Sequence, residues 1–418
     1  MTASQLSILF FLQLAVIIAV CRLVGAFVQR FLGQPQVVGE MIAGVLLGPS
    51  ILGLIAPGLE AALFPAESKK VLYVGAQLGV GLYMFLVGLT FDKAEFRASA
   101  GSAAAVAFGS MAAPFAVAAL MAPWLLGIDG LFAPRVGTAQ AAMFLGAAIA
   151  ITAFPMLARI IHERGIAHTQ LGTLSLSSGA IGDAGAWIVV AVVLASLGGG
   201  AHLAWLAVGG GLAFAFVMVV IAPRLLAPLA ALHARKGEVD MSLLGAVLVL
   251  FLLSAFAMDA VGIHAVFGGF LLGTAMPRGP FAEEVRAKLE PFTTVFLLPM
   301  FFTFSGLNTQ LAVVDNLSLA AAALAILAAS ILAKGGACYL AARLSGHDHA
   351  TAMGIGALMN ARGLMELIII NIGLQRGVIE PGLFAILVVM AIVTTLMASP
   401  LFEAFYGRHA RADGRLAP

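Results

Sequence analysis

One carboxylate in the middle of a long apolar segment is the residue of this chain best suited to chemistry. Asp183 lies in the run Ser-Ser-Gly-Ala-Ile-Gly-Asp-Ala-Gly, with no loop close enough for its charge to reach water. A carboxylate in such surroundings costs several kcal/mol unless it is protonated or paired with a cation. It can hold a proton or a metal cation but not both, and that competition is sufficient for ion exchange. The alternative is a structural Asp that hydrogen-bonds to neighbouring serines.

Small residues flank Asp183 on the same segment. Gly179, Gly182 and Gly185 would let another helix or an unwound backbone approach closely, with simple close packing as the alternative. Ser178 adds a hydroxyl group nearby. We assign Ser178 and Gly182 supporting roles at the predicted ion site.

Two other apolar segments are interrupted by residues that break or polarise a helix. The first carries Thr152-Ala153-Phe154-Pro155, in which Pro155 removes one helical hydrogen bond and frees a carbonyl nearby. The Thr152 hydroxyl and the freed carbonyls would complete the oxygen shell of a monovalent cation at Asp183. Thr152 is therefore predicted to be an ion ligand, and Pro155 a supporting residue.

The second interruption carries Asn360-Ala361-Arg362-Gly363, which places an amide and a charge in apolar surroundings. Arg362 and Glu366 are four residues apart, so on a helix they share a face and can pair. The pair either neutralises the ends of half-helices where two broken helices cross, or is a structural ion pair of the bundle. Asn360, Arg362 and Glu366 are predicted to support this crossing.

Three further polar residues within apolar segments are weaker candidates. Lys334 lies about nine residues from the end of its segment, where snorkelling of the amine to the membrane surface is favoured over a role at the ion site. Glu40 follows the start of another segment and would act at a helix terminus or in gating, and Ser305 is the third candidate. The buried-type cysteines Cys21 and Cys338 suggest neither a disulfide framework nor a metal site, and no cofactor is expected.

Membrane-spanning helices must position all of these residues. The chain is 62% hydrophobic and 10% charged, with a mean hydropathy of +1.07, whereas soluble domains are roughly one-half apolar and one-quarter charged. Apolar stretches of about 20 residues recur, each long enough to cross a hydrocarbon core of roughly 30 Å, and they lack the alternation of barrel strands. The fold class is therefore an all-α polytopic membrane protein with a single transmembrane domain over residues 1–418. A small net charge of +2 gives no reason to expect a nucleic-acid partner.

The pattern predicts thirteen spans. Because the ninth is short and the fourth is long, a count of twelve spans is the alternative. The predicted spans are 5–28, 36–56, 70–91, 101–126, 138–161, 169–197, 203–226, 241–258, 262–276, 290–308, 317–343, 350–375 and 382–404. With the N-terminus outside, fifteen of the 22 Lys and Arg residues fall on the cytoplasmic side, four on the other side and three within spans. This distribution predicts a cytoplasmic C-terminus and a bacterial inner-membrane location.

Two glycine-rich spans indicate an internal repeat. The second span reads Ala-Gly-Val-Leu-Leu-Gly-Pro from Ala43, and the ninth reads Gly-Gly-Phe-Leu-Leu-Gly-Thr from Gly268. The following spans correspond loosely, with Gly88 and Gly306 at matching positions. An offset of seven spans makes the copies inverted, over about 5–197 and 241–405 with a linker helix at about 203–226. The fifth and twelfth spans, which carry the two interruptions, are then equivalent.

Three segments resemble the monovalent cation:proton antiporter-2 family, which includes Kef-type potassium exporters and plant cation/H+ exchangers. They are Pro-Gln-Val-Val-Gly-Glu ending at Glu40, Ile-Thr-Ala-Phe-Pro-Met-Leu-Ala-Arg ending at Arg159, and Asn-Ala-Arg-Gly-Leu-Met-Glu-Leu from Asn360. The resemblance implies a core with two crossed, broken helices that moves against a dimerisation domain in an elevator-like cycle. It also implies that Asp183 carries the cation and the proton, that Thr152 is a neighbouring ligand, and that the protein is a homodimer.

The sequence departs from electrogenic relatives in two respects. Gly182 stands where those relatives carry a second acidic residue, and residues 297–308 lack the lysine that would pair with Asp183 from the tenth helix. Both departures predict electroneutral exchange of one cation for one proton. The chain also ends at residue 418 without a nucleotide-binding domain of the Kef type, so regulation by a dinucleotide bound to the same chain is not expected, and a separate regulatory subunit stays open.

Three other functions are weighed against an antiporter for K+ or Na+ and H+. A channel-like K+ pathway would use the same scaffold without proton coupling. A carrier of organic anions would need a cationic pocket, for which only Arg362 is evident. An enzyme is disfavoured because no nucleophile–base pair or metal-ligand spacing lies within a span.

Overall fold

The computed structural model describes residues 2–91, 93–194, 201–307, 317–362 and 364–407. Helices account for nearly all of the regular structure in these ranges, together with an isolated bridge between Phe132 and Ile379. The first nine helices are α1 (Ala3–Leu32), α2 (Gln36–Leu47), α3 (Leu52–Ile55), α4 (Pro57–Leu63), α5 (Ala66–Thr90), α6 (Lys93–Leu125), α7 (Thr138–Ala150), α8 (Phe154–Glu163) and α9 (Gln170–Leu194). The predicted all-helical membrane fold is confirmed.

The second part of the chain continues with ten helices and three π-helical turns. They are α10 (Ala201–Phe216), α11 (Ala222–Lys236), α12 (Met241–Ala260), α13 (Ala265–Ala275), α14 (Pro280–Phe292), α15 (Leu298–Leu307), α16 (Leu317–Leu344), α17 (His349–Leu358), α18 (Leu364–Gln375) and α19 (Pro381–Phe402). The π-helical turns Val217–Ile221 and Thr293–Leu297 join α10 to α11 and α14 to α15, and Glu403–Gly407 extends α19.

Every predicted span overlaps one of these helices or two consecutive ones. In the described ranges, nine helical stretches are long and apolar enough to cross a membrane, and α13 is a shorter apolar helix. Two predicted spans, the fifth and the twelfth, are each divided in two, as α7 with α8 and as α17 with α18. The count of thirteen membrane crossings stays a prediction.

The helices pack in two groups. We call α1–α5 with α12–α15 the scaffold group, and α6–α9 with α16–α19 the core group, because each helix makes most of its contacts within its own group. Helices α10 and α11 run between them, with α10 against α9 and the turn before α11 against α13. The two divided helices and Asp183 all belong to the core group.

Glycine contacts hold the scaffold group together. A Cβ atom added to Gly48 would lie 2.7 Å from the Gly306 carbonyl oxygen, and one added to Gly88 would lie 2.9 Å from the Gly273 Cα. Helices α2 and α15, and helices α5 and α13, therefore approach at backbone contact, which small residues permit in membranes. Larger side chains at these four positions would force the helices apart.

Candidate functional site

The first break in the core group follows directly from the sequence around Pro155. Helix α7 ends at Ala150, α8 begins at Phe154, and Pro155 occupies the first turn of α8, where its missing N–H is tolerated. Residues 151–153 are not helical. The chain therefore presents the carboxyl end of one half-helix and the amino end of another inside the protein.

The second break lies against the first. Helix α17 ends at Leu358 and α18 begins at Leu364. The backbone N–H of Ala153 donates to the carbonyl oxygen of Ala361 at 3.1 Å. The Thr152 hydroxyl also lies 3.5 Å from the Met359 carbonyl oxygen. The two interruptions predicted from sequence are thus joined by hydrogen bonds that cross between them.

Two basic side chains hold the carboxyl end of α7. The Lys334 amine donates to the Ala150 carbonyl, and Arg362 Nη1 donates to the Ala148 carbonyl at 3.0 Å. Arg362 Nη1 also lies 3.4 Å from Glu366 Oε1, and all three side chains are fully buried. Positive groups at a helix carboxyl end satisfy its orphan carbonyls and oppose its dipole. The predicted ion pair of Arg362 and Glu366 is present, and their role in neutralising helix ends at the crossing stays a prediction.

The prediction that Lys334 snorkels is wrong. Its side chain has no exposed surface, and its amine points across the core group to α7. The Ala150 carbonyl at the end of α7 accepts the hydrogen bond that water would accept from a snorkelling amine at the membrane surface. The charge of Lys334 also lies within electrostatic range of Asp183.

Asp183 is buried without a hydrogen-bonding partner. Only 1% of its surface is exposed, and among the described residues neither carboxylate oxygen accepts a hydrogen bond. The hydroxyls of Ser177 and Ser178 are also unpaired there. The alternative of a structural Asp held by neighbouring serines is therefore not observed. A buried carboxylate of this kind requires a proton or a cation as its partner.

Close approach occurs at two of the three glycines around Asp183. Cβ atoms added to Gly179 and Gly185 would lie 2.7 Å from Leu157 Cδ2 and 2.8 Å from Met111 Sδ. At Gly182 the nearest atom is Ser110 Oγ at 3.8 Å, an ordinary contact distance. The close approach predicted at Gly182 is therefore wrong, and this position has room for a side chain.

The remaining predicted site residues divide into those near the second break and those elsewhere. Asn360 donates from Nδ2 to the Gly356 carbonyl at 2.9 Å, while its Oδ1 has no partner among the described residues. Thr152 is buried at the first break, but its hydroxyl faces Met359 and not Asp183. Gly363 and the Ser305 side chain lie outside the described residues.

Glu40 lies in a separate polar cluster where the scaffold group meets the core group. One of its oxygens accepts from Gln36 Nε2 at 3.2 Å, and its side chain is fully buried. Glu163, the last residue of α8, accepts from the Val37 N–H at 3.2 Å and pairs with Arg159. A carboxylate from the core group thus caps the amino end of α2, at the edge of a polar cavity of about 270 Å³.

Arg164 extends this cluster to the ends of α1 and α19. Its Nη2 donates to the Gly33 carbonyl at 3.1 Å and to Ser399 Oγ at 2.7 Å, and its Nη1 pairs with Glu403 at 3.4 Å. Gly33 ends α1 in the left-handed conformation (φ 61°) that a glycine readily adopts. One side chain therefore bridges the two groups of helices.

Sequence reasoning missed Thr395 altogether. Its Oγ1 lies 2.9 Å from both the backbone nitrogen and the carbonyl oxygen of Arg362, at the second break. The signal was the pair Thr394-Thr395 in the otherwise apolar helix α19. A hydroxyl within a span commonly bonds to its own helix, so the pair alone could not identify a long-range contact.

The chain is similar to known proteins over nearly its whole length. A family model described as "Sodium/hydrogen exchanger, transmembrane" matches residues 14–405. The chain is 37% identical to the Na+/H+ antiporter NhaS4 of Synechocystis sp. over 402 residues, covering 96% of this chain and 97% of that protein. It is 28% identical to the Na+/H+-K+ antiporter GerN of Bacillus cereus, covering 96% and 98%.

A solved structure shares the fold. The sodium proton antiporter MjNhaP1 from Methanocaldococcus jannaschii matches with a TM-score of 0.56 and 14% identity, covering 96% of this chain and 97% of that one. The plant Cation/H+ antiporter 17 of Arabidopsis thaliana is 34% identical, but this chain spans 48% of its length.

Proposed function

The chain belongs to the sodium/hydrogen exchanger family, and from that membership we propose that it exchanges a monovalent cation, Na+ or K+, for H+ across a membrane. It is a member of a transporter family and not an enzyme. The observation that carries the proposal is Asp183, a fully buried carboxylate with no hydrogen-bonding partner among the described residues. The similar proteins NhaS4 and GerN are named for Na+/H+ and Na+/H+-K+ antiport.

Asp183 carries each ion in turn. Without a partner its negative charge is unfavourable in the core, so the carboxylate is either protonated or bound to a cation. Backbone carbonyls of the two breaks, and the Thr152 hydroxyl once it turns from Met359, would provide further oxygen ligands. Asn360, Arg362 and Glu366 hold the second break. No step requires a cofactor.

Alternating access arises from movement of the core group against the scaffold group in an elevator-like cycle. Two observations support an inverted repeat over about 5–197 and 241–405 as the basis of that motion. The repeat equates Gly48 with Gly273 and Gly88 with Gly306, and the contact of Gly48 with Gly306 has its counterpart in that of Gly273 with Gly88. The divided helices α7/α8 and α17/α18 are likewise equivalent under the repeat.

We place the protein in a bacterial inner membrane with thirteen spans, the N-terminus outside and the C-terminus cytoplasmic, from the bias of Lys and Arg residues. Family resemblance supports a homodimer embedded in the lipid bilayer.

The functional test is exchange by the purified protein in proteoliposomes. Na+, K+, Li+ and Rb+ are added in turn. Each cation that the protein transports should dequench a pH-sensitive dye inside the vesicles. The ranking of the cations gives the selectivity. Failure of every cation to move protons in either direction would contradict the proposed antiport.

The exchange should be electroneutral, with one proton moved per cation. One premise for this expectation, the absence of a lysine in residues 297–308, is qualified by Lys334 of α16, whose charge acts on Asp183 although no hydrogen bond joins the two among the described residues. The other premise remains, because Gly182 provides no second carboxylate. The Lys334 amine donates to the Ala150 carbonyl and not to Asp183, so cation binding at Asp183 breaks no hydrogen bond of this amine. At equal Na+ concentration and equal pH on the two sides of the membrane, a potential set by a K+ gradient with valinomycin should drive no more Na+ uptake than the same K+ gradient without valinomycin. Additional uptake driven by the potential would contradict one-for-one exchange.

The cluster of Glu40, Arg159, Glu163 and Arg164 acts as the gating contact between the two groups of helices. Glu163→Gln weakens the charged cap on α2 by about 1 kcal/mol, which is about a fivefold change in an equilibrium. The scaffold group and the core group should therefore separate more often at this cluster. A cysteine introduced at Gln34, in a background with Cys21→Ala and Cys338→Ala, should react about fivefold faster with a water-soluble thiol reagent.

Glu284→Gln is the matched control for that experiment. Glu284 pairs with Lys288 at 3.1 Å and with His233 at 3.0 Å, neither of which belongs to the core group. The control should leave the labelling rate at Gln34→Cys unchanged. Equal labelling in the presence and absence of Glu163→Gln would show that this carboxylate does not control separation of the groups.

A further inference from the structure

The hydroxyl of Thr395 contacts the backbone of Arg362, which is distant from it in the sequence. It is fully buried in α19, and its Oγ1 accepts a hydrogen bond from the backbone nitrogen of Arg362 at 2.9 Å. The carbonyl oxygens of Arg362, at 2.9 Å, and Ala391, at 2.7 Å, are the acceptors available for its own proton. One hydroxyl thus satisfies backbone groups of the link between α17 and α18.

Without Thr395, the Arg362 backbone N–H in the link between α17 and α18 would have no hydrogen-bond acceptor in an apolar interior. Backbone groups that lose their helical partners inside a membrane protein must be satisfied by neighbouring helices, hydroxyl side chains or water. Arg362 N has no helical partner because the helix has already ended at Leu358. Thr395 supplies the missing acceptor from a different helix.

The same link fixes the two contacts that organise the site. Ala361, directly before Arg362, accepts the hydrogen bond from Ala153 that joins the two breaks. The Arg362 guanidinium donates to the Ala148 carbonyl at the end of α7. A displacement of the Arg362 backbone would therefore change both the position of the first break and the charge placed beside it.

We propose that Thr395 is a positioning residue for ion exchange, one that fixes the backbone of Arg362 and thereby the geometry of the crossed breaks around the cation. This assignment rests on the proposed antiport function. It predicts an effect on cation affinity and turnover, and not only on folding, although Thr395 does not itself contact the cation.

The adjacent Thr394 offers a matched control. It is equally buried, but its hydroxyl donates only to carbonyls of its own helix, Met390 at 2.7 Å or Ala391 at 3.2 Å. Thr394→Val and Thr395→Val remove the same group from neighbouring positions in the same helix. Thr395→Ser keeps the hydroxyl and removes one methyl group.

The experiment measures exchange against cation concentration in proteoliposomes, with thermal stability of the same preparations. Leaving a buried backbone donor unsatisfied is expected to raise the apparent KM for the cation about tenfold in Thr395→Val, in keeping with the cost of such a group. Thr394→Val and Thr395→Ser should stay within about twofold of the original protein.

Two outcomes would overturn the assignment. One is an unchanged KM in Thr395→Val with a maximal rate that falls only in proportion to the folded protein. The other is an equal change of KM in Thr394→Val and Thr395→Val. Absence of exchange in the unsubstituted protein would instead contradict the antiport function itself, so the two failures are distinguishable.

Discussion

Replacing Asp183 with Asn should reduce cation/proton exchange to the level of vesicles without protein. The amide cannot take up or release a proton, and it provides no negative charge for a cation. The substitution is nearly isosteric and removes an unpaired buried charge, so the protein should fold and reconstitute normally. Dye dequenching in proteoliposomes, measured with each transported cation, gives the rate.

Asp259→Asn is the control for this substitution. Asp259 is also an acidic residue of an apolar helix, but it lies at the end of α12 in the scaffold group, where its carboxylate accepts from the Ala265 N–H at 3.0 Å. An Asn oxygen can accept the same bond. Exchange by Asp259→Asn should therefore be close to that of the original protein. Normal exchange in Asp183→Asn would refute the site.

Replacing Lys334 with Met should reduce exchange by at least about 100-fold. The change leaves the Ala150 carbonyl unsatisfied and removes the positive charge near Asp183. Removing one partner from a buried ionic arrangement typically costs about 3–5 kcal/mol, and 1.4 kcal/mol is a factor of ten. Initial rates should be compared at equal amounts of folded, reconstituted protein.

Lys236→Met is the control for the loss of an amine. Lys236 pairs with Asp240 at 2.6 Å on the surface, where an ion pair contributes little. Lys334→Arg keeps the charge and tests whether the position requires the shape of lysine. If Lys334→Met exchanged ions as fast as Lys236→Met, the role of Lys334 at the end of α7 would be wrong.

The sequence predicted the features whose signal is local. Pro155 and the polar group from Asn360 to Arg362 each disrupt a helix by their own chemistry, so both breaks could be placed within a few residues. Asp183 was identified because a lone carboxylate is so unfavourable in an apolar span. Arg362 and Glu366 could be paired from their spacing alone.

Features that depend on contacts between distant helices could not be predicted in this way. Lys334 was assigned to the membrane surface because it lies about nine residues from the end of its segment, whereas the Ala150 carbonyl reaches it from another helix. The search for a basic residue near Asp183 was likewise confined to residues 297–308, whereas the positive charge that acts on Asp183 belongs to Lys334 of α16. Thr395 was missed because its contact is with a residue 33 positions away.

The central claim is that a cation and a proton compete for Asp183, and proton release on cation binding tests it most directly. The detergent-purified protein, in weak buffer at a pH where exchange is active, is titrated with the transported cation while the pH is recorded. We predict about one proton released per cation bound, and neither release nor binding in Asp183→Asn. Cation binding without proton release, or equal release from Asp183→Asn, would contradict the claim.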